Sequence, residues 1–136
     1  MEAVTRRHLE EALCGEALAS LRYALFADRA AAEGRQDVAD LFREIGEEER
    51  REHFREIAEL LGLARTTVEN LEMALAGEVT EHRRLYPQYA GEARRVGDDA
   101  IAEQFIELGD DEHRHADRLR GALAATETLT GVALAV

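Results

Sequence analysis

The chain has 136 residues, 46% of them hydrophobic and 34% charged, with 29 acidic residues against 17 basic ones and a formal net charge of −12. That length suits one domain with a real core, and the negative excess argues against nucleic acid and anionic membranes as partners. A single Pro in a mix rich in Ala, Leu, Glu and Arg predicts an all-α protein. Cys14 is the only cysteine, which excludes an internal disulfide and a Cys-rich metal domain, and it reads as a small core residue. The N-terminus carries no long apolar run of the signal-peptide or membrane-spanning kind, so a reducing cytoplasm is the expected compartment.

Leu9, Leu13, Ser20, Tyr23 and Ala27 recur at helical spacing and predict a first helix, with Glu16 at the missing step of the stripe. Gly34 interrupts it. A second stripe runs through Val38, Leu41, Phe42, Ile45, Glu49 and Leu60 to Gly62. Thr66 followed by Glu69 reads as a capping box that opens a third helix through Leu71, Leu75, Glu78, Leu85 and Tyr89, with Pro87 expected to bend it. After Gly97 a fourth helix carries Ile101, Phe105, Leu108, Glu112, His115 and Leu119. The helix pairs span about 3–61 and 67–125 of one domain, 1–125. Residues 126–136 have no periodic charge pattern and read as a frayed C-terminal tail.

Glu16, Glu49, Glu78 and the Glu112-x-x-His115 pair all fall where the helices face their core. An apolar core does not tolerate bare carboxylates, so a cation must hold them. Glu-x-x-His on an inward face, with lone glutamates on partner helices, is the ligand pattern of dimetal-carboxylate bundles. By contrast Glu56 and Glu59 read as solvated surface charges, and His8, His82 and His113 as outward-facing.

The halves repeat. Gly34, Val38, Ala39, Phe42 and Glu49 return 63 residues later as Gly97, Ile101, Ala102, Phe105 and Glu112, and Tyr23 returns as Tyr86. Gly15-Glu16, however, returns as Gly77-Glu78 at an offset of 62. The third helix therefore holds one extra residue between its glutamate and its tyrosine, which predicts a π-bulge that helps to turn Glu81 toward the site beside Glu78.

These residues resemble the ferritin-like diiron module of the rubrerythrin family. The first half matches through Cys14-Gly15-Glu16, Tyr23, Glu33-Gly34 and Asp40-Leu41-Phe42, the second through Ala76-Gly77-Glu78, Glu81, Tyr86-Pro87, Gly97, Ile101-Ala102, Phe105 and Glu112-x-x-His115. The resemblance implies a ferritin-like four-helix bundle with two iron ions per site, manganese or a mixed pair also suiting the oxygen-rich donors. It implies ligands at Glu16, Glu49, Glu78, Glu81, Glu112 and His115, with Glu49 and Glu112 bridging. Tyr23 and Tyr86 would lie near the metals, and Glu81 would be a carboxylate that moves with redox state. The implied reaction is reduction of hydrogen peroxide to water; the alternative is a ferritin-like protein that oxidises and stores ferrous iron.

Two departures from the family stand out. Its first half also contains Glu-x-x-His, but here Glu49 is followed three residues later by Glu52, with His53 next door. The repeat pairs Glu52 with His115 and favours Glu52 as ligand; a local bulge that turned His53 inward is the alternative. The family's four-cysteine rubredoxin-like iron site is also missing from these residues, so electrons are expected from an external rubredoxin-like donor.

The connection between the second and third helices, Gly62 to Thr66, spans at most about 17 Å, whereas a helix of about 28 residues is about 42 Å long. A ferritin-like bundle needs those helices parallel, joined by a crossover as long as the bundle. Exchange of helix pairs in a domain-swapped homodimer is therefore expected, an up-and-down monomer with short turns being the alternative.

Overall fold

A computed structural model describes the backbone of residues 1–133 and the side chains of residues 1–126. The described residues are helical and contain no strand. Two units form, Met1–Ala64 and a second from Arg65 onward. In the first, α1 (Ala3–Ala32) turns back into α2 (Gln36–Glu48), which continues through a π-helical turn (Glu49–His53) into α3 (Phe54–Leu61). In the second, α4 (Thr67–Thr80) runs through another π turn (Glu81–Leu85) into α5 (Tyr86–Val96), which turns back into α6 (Asp99–Ala133). Each unit is an antiparallel helical hairpin, a component of a ferritin-like bundle. No helix among the described residues is long and apolar enough to cross a membrane.

The boundaries follow local chemistry. Gly34 and Gly97 make the equivalent hairpin turns with φ of 75° and 88°, a left-handed conformation that costs a residue without a Cβ nothing. The following N–H groups reach five residues back, Arg35 to the Ala30 carbonyl at 2.9 Å and Asp98 to that of Ala93 at 3.0 Å. The Thr66–Glu69 capping box forms in both directions, fixing the start of α4 four residues after Gly62 closes α3.

Within each hairpin the helices meet through alanine. Ala27, Ala30 and Ala39 are the buried cluster of the first, and their repeat equivalents Ala90, Ala93 and Ala102 that of the second. Closer to the carboxylates Gly46 and Gly109 keep the rods together. A Cβ on Gly46 would sit 3.2 Å from Tyr23 Cβ, and one on Gly109 would sit 3.3 Å from Tyr86 Cβ. Aromatic rings continue each seam, Tyr23 stacked on Phe42 at 5.8 Å and Tyr86 on Phe105 at 6.2 Å. Larger apolar side chains stay exposed, Leu21 and Leu25 at 68% among them.

One sequence expectation changes. The helix does not end at Thr126: α6 continues to Ala133, with no Pro in the stretch to stop it, and Thr126 Oγ1 donates to the Ala122 carbonyl at 2.8 Å. Residues 134–136 of the expected tail lie outside the described ones. Pro87 follows the π turn at the start of α5, where the widened turn has already shifted the hydrogen-bond ladder that its missing N–H would interrupt.

Candidate metal centre

In the first hairpin Glu16 projects from α1, while Glu49 and His53 open and close the π turn. His53 Nδ1 lies 2.7 Å from Glu49 Oε2 and 3.8 Å from Glu16 Oε2. One donor atom from each of the three falls within 4.8 Å of the others. The π turn is what assembles them: the Phe54 N–H reaches five residues back to the Glu49 carbonyl, so one residue is looped out and the fourth residue after Glu49 lands where the third would in an α-helix. The grouping favours His53, the alternative reading, over Glu52. Glu52 is exposed and outside the group, because the repeat offset that pairs it with His115 no longer applies once the extra residue is inserted.

The second hairpin gathers Glu78 from α4 with Glu112 and His115 from α6, again within 4.8 Å. His115 Nδ1 stands 2.7 Å from Glu112 Oε2 and 3.6 Å from Glu78 Oε2. Here the α-helical spacing suffices for the Glu-x-x-His pair, and the π turn lies instead on the rod of Glu78, where the Tyr86 N–H reaches the Glu81 carbonyl. This is the insertion that the Glu78–Tyr86 spacing predicts. Glu81 is half-buried at the start of that turn. It lies outside the three-residue group, but its charge acts on both Glu78 and Tyr86. Tyr86 sits half-buried against the carboxylates and Tyr23 holds the matching place in the first hairpin. Cys14 is exposed and not a core residue.

Electrostatics mark both groups as incomplete without a cation. A hydrogen bond shared with Glu49 holds the Glu16 carboxyl above its ordinary pKa, helped by burial and repulsion from Glu49, and the same bond lowers Glu49. Glu78 and Glu112 repeat the pattern, Glu78 raised by its hydrogen bond with Glu112 and Glu112 lowered by it. Crowding of two carboxylates in one site pushes their titrations apart in this way, one up and one down. His53 is raised by its hydrogen bond to Glu49. Tyr86 is raised by burial and then by the charges of Glu81, Glu112 and Glu78, which keeps its phenol protonated.

A pH dependence follows. The raised groups, Glu16, Glu78 and His53, stabilise the metal-free fold below their ordinary pKa values and lose that contribution as pH rises through the raised ones. The lowered Glu49 and Glu112 contribute above their ordinary value and lose it as pH falls through the lowered one. The metal-free protein is therefore expected to lose stability as pH rises from the ordinary carboxylate value of 4.5 through and beyond the ordinary histidine value of 6.5. Manganese(II), which needs the ligands deprotonated, should raise the midpoint increasingly over the same range. Thermal melts with and without manganese check this; a metal-free midpoint that climbs with pH contradicts it.

One arrangement was not foreseen from sequence. His82 does not face outward: it is half-buried, and its Nδ1–H donates to the Gly109 carbonyl at 2.8 Å, a carbonyl being able only to accept. Its ring stacks on His113, centroids 4.6 Å apart. Ser20, its counterpart at the offset of 62, donates to the Gly46 carbonyl at 2.8 Å. Both bonds tie the helix of the lone glutamate to the helix that bears the other two ligand candidates. The signal was present in the repeat, which pairs Ser20 with His82 and Gly46 with Gly109.

The donor set fits a transition metal of intermediate softness. Glu78 Oε2 is buried without a hydrogen-bond partner, and the half-site beside it offers carboxylate oxygens and an imidazole nitrogen, a mixture suited to iron or manganese. The family model described as Rubrerythrin matches residues 8–123. The chain is 35% identical to a rubrerythrin of Porphyromonas gingivalis, over 90% of this chain and 68% of that protein. It is 30% identical to a rubrerythrin of Nitratidesulfovibrio vulgaris, over 84% of this chain and 66% of that protein. It thus spans about two thirds of the length of each.

Proposed function

Because the chain belongs to the rubrerythrin family, and with it to the diiron proteins of the ferritin-like superfamily, we propose that it is a diiron peroxidase that reduces hydrogen peroxide to water. The observation that carries this reading is the duplicated half-site, two carboxylates and an imidazole at equivalent points of two hairpins. Two half-sites brought together would hold two metals, Glu16, Glu49 and His53 supplying donors from one hairpin and Glu78, Glu112 and His115 from the other. When bound, the metals supply two electrons and Lewis acidity to the peroxide.

The protein residues do the rest. Glu81, on the π turn beside Glu78, is a further carboxylate whose charge acts on both Glu78 and Tyr86, and it would be available to a metal held there. The Tyr86 phenol, kept protonated by its surroundings, is a proton donor beside the site, and Tyr23 holds the matching place in the other hairpin. Reduction of one peroxide to two waters consumes two electrons and two protons, so a protonated donor at the site matters as much as the metals. The half-buried Phe42 and Phe105 exclude water along each seam. These 136 residues hold one cysteine, too few for a four-cysteine electron-entry site, so on this reading electron delivery falls to a rubredoxin-like donor.

Anaerobic loading with ferrous iron, reduction and titration with peroxide test the reading. One peroxide should be consumed for every two ferrous ions oxidised, and reduced rubredoxin should restore the ferrous state for further turnovers. Retention of ferric iron far beyond two per site, with oxygen as the preferred oxidant, would instead identify an iron-storage protein.

A further inference from the structure

The second hairpin carries an open pocket of about 400 Å³ lined by Glu78, His115, Arg118, Leu119 and Ala122. Two of these are ligand candidates. Arg118 is the cation in that lining, and with Arg22, Arg83, Arg84 and Arg95 it is one of five arginines without an ion pair among the described residues. All 17 basic residues are arginines, and most are matched by a carboxylate a turn away. On the same helix Arg114 pairs with Asp111 and Arg120 with Asp117. Arg118 has no hydrogen bond or ion pair among the described residues, and the reason is legible on the helix. The positions three and four residues to either side are Arg114, His115, Gly121 and Ala122, so no carboxylate stands at helical spacing to neutralise it.

The first hairpin lacks this cation. Past its π turn the repeat runs at an offset of 62, which pairs His53 with His115, Ile57 with Leu119, and Glu56 with Arg118. One half-site is flanked by a free guanidinium, the other by a carboxylate. Once Glu78 and Glu112 are engaged by metal, Arg118 is the remaining positive charge facing the pocket, and a guanidinium offers paired N–H donors to a small anion.

We propose that the second hairpin is the anion-receiving side of the centre and that Arg118 holds a small monoanionic ligand of the azide type beside Glu78 and His115. Charge and hydrogen bonding both orient the ligand there, and the first half-site has no cation at the matching position, where the exposed Glu56 stands. The inference rests on the diiron reading and adds a binding residue to it.

Sodium azide, a monoanion that ligates ferric iron and gives a charge-transfer absorption, serves as the probe on the full-length diferric protein. Metal content is measured first for every variant. Arg118→Ala is expected to keep its iron and bind azide about tenfold more weakly, the loss of one charge-assisted hydrogen bond. Arg118→Lys should recover part of that affinity, and Glu56→Gln should leave it unchanged. Rising salt should weaken azide binding in the parent protein and have little effect in Arg118→Ala. Unchanged azide affinity in Arg118→Ala overturns the proposal, as does an equal effect from Glu56→Gln. Loss of iron in both Arg118→Ala and Arg118→Lys overturns it too, since the residue would then hold the site together and not the ligand. A parent protein that takes up no iron refutes the diiron reading itself, and shows no azide band in any variant.

Discussion

His53→Ala is expected to lower iron affinity by more than about a hundredfold, while Glu52→Ala leaves metal content and spectrum close to those of the parent. Removal of groups that merely orient metal ligands already costs about 10–100-fold, and His53 is placed as a ligand itself, 2.7 Å from Glu49 and grouped with Glu16. Glu52 projects to solvent from the looped-out stretch. Deletion of Arg51 makes a sharper test. It leaves Glu-x-x-His at α-helical spacing, as in the second hairpin, so the shortened chain should bind iron without the π turn. Elemental analysis after anaerobic loading reads all three variants. If Glu52→Ala empties the site and His53→Ala does not, the assignment is wrong.

That contrast shows what could be read from sequence. The hairpins, their glycine turns and the capping box at Thr66 follow from periodicity and local chemistry, which act over a few residues. The π turn of the second hairpin was legible because two anchors bracket it: Glu78 and Tyr86 stand eight apart where Glu16 and Tyr23 stand seven apart. The π turn of the first hairpin leaves the same trace, in Ile57 and Leu61 matching Leu119 and Leu123 at 62 instead of 63. Projecting the upstream offset onto Glu52 missed it, since an insertion between Glu49 and His53 is invisible until residues beyond it are aligned. The inward turn of His82 was harder to read, because a hydrogen bond to a carbonyl 27 residues away depends on how closely two helices approach. Gly109 permits that approach, and a glycine in mid-helix states only that something comes near.

A mixture of two defective chains is expected to recover iron that neither holds alone. The argument starts from length. The connector from Gly62 to Thr66 joins α3 to α4 and reaches at most about 17 Å, while α1, with 30 residues, is about 45 Å long. A family bundle that sets the second and third rods parallel cannot be closed by so short a link within one chain. Each hairpin alone leaves leucines such as Leu21 and Leu25 exposed and carries only half a ligand set. We propose that two chains exchange hairpins, so that Glu16, Glu49 and His53 of one meet Glu78, Glu112 and His115 of the other. One chain then carries Glu16→Ala with Glu49→Ala, and the second Glu112→Ala with His115→Ala. In a swapped heterodimer both defects fall in one site and the other site is intact. Co-refolding at equal amounts gives heterodimers half the time, so about a quarter of the parent's iron should return, with none in either variant alone. In an unswapped assembly every site keeps one defective half. Absence of recovery, or iron-loaded parent protein that scatters light as a monomer, rules the exchange out.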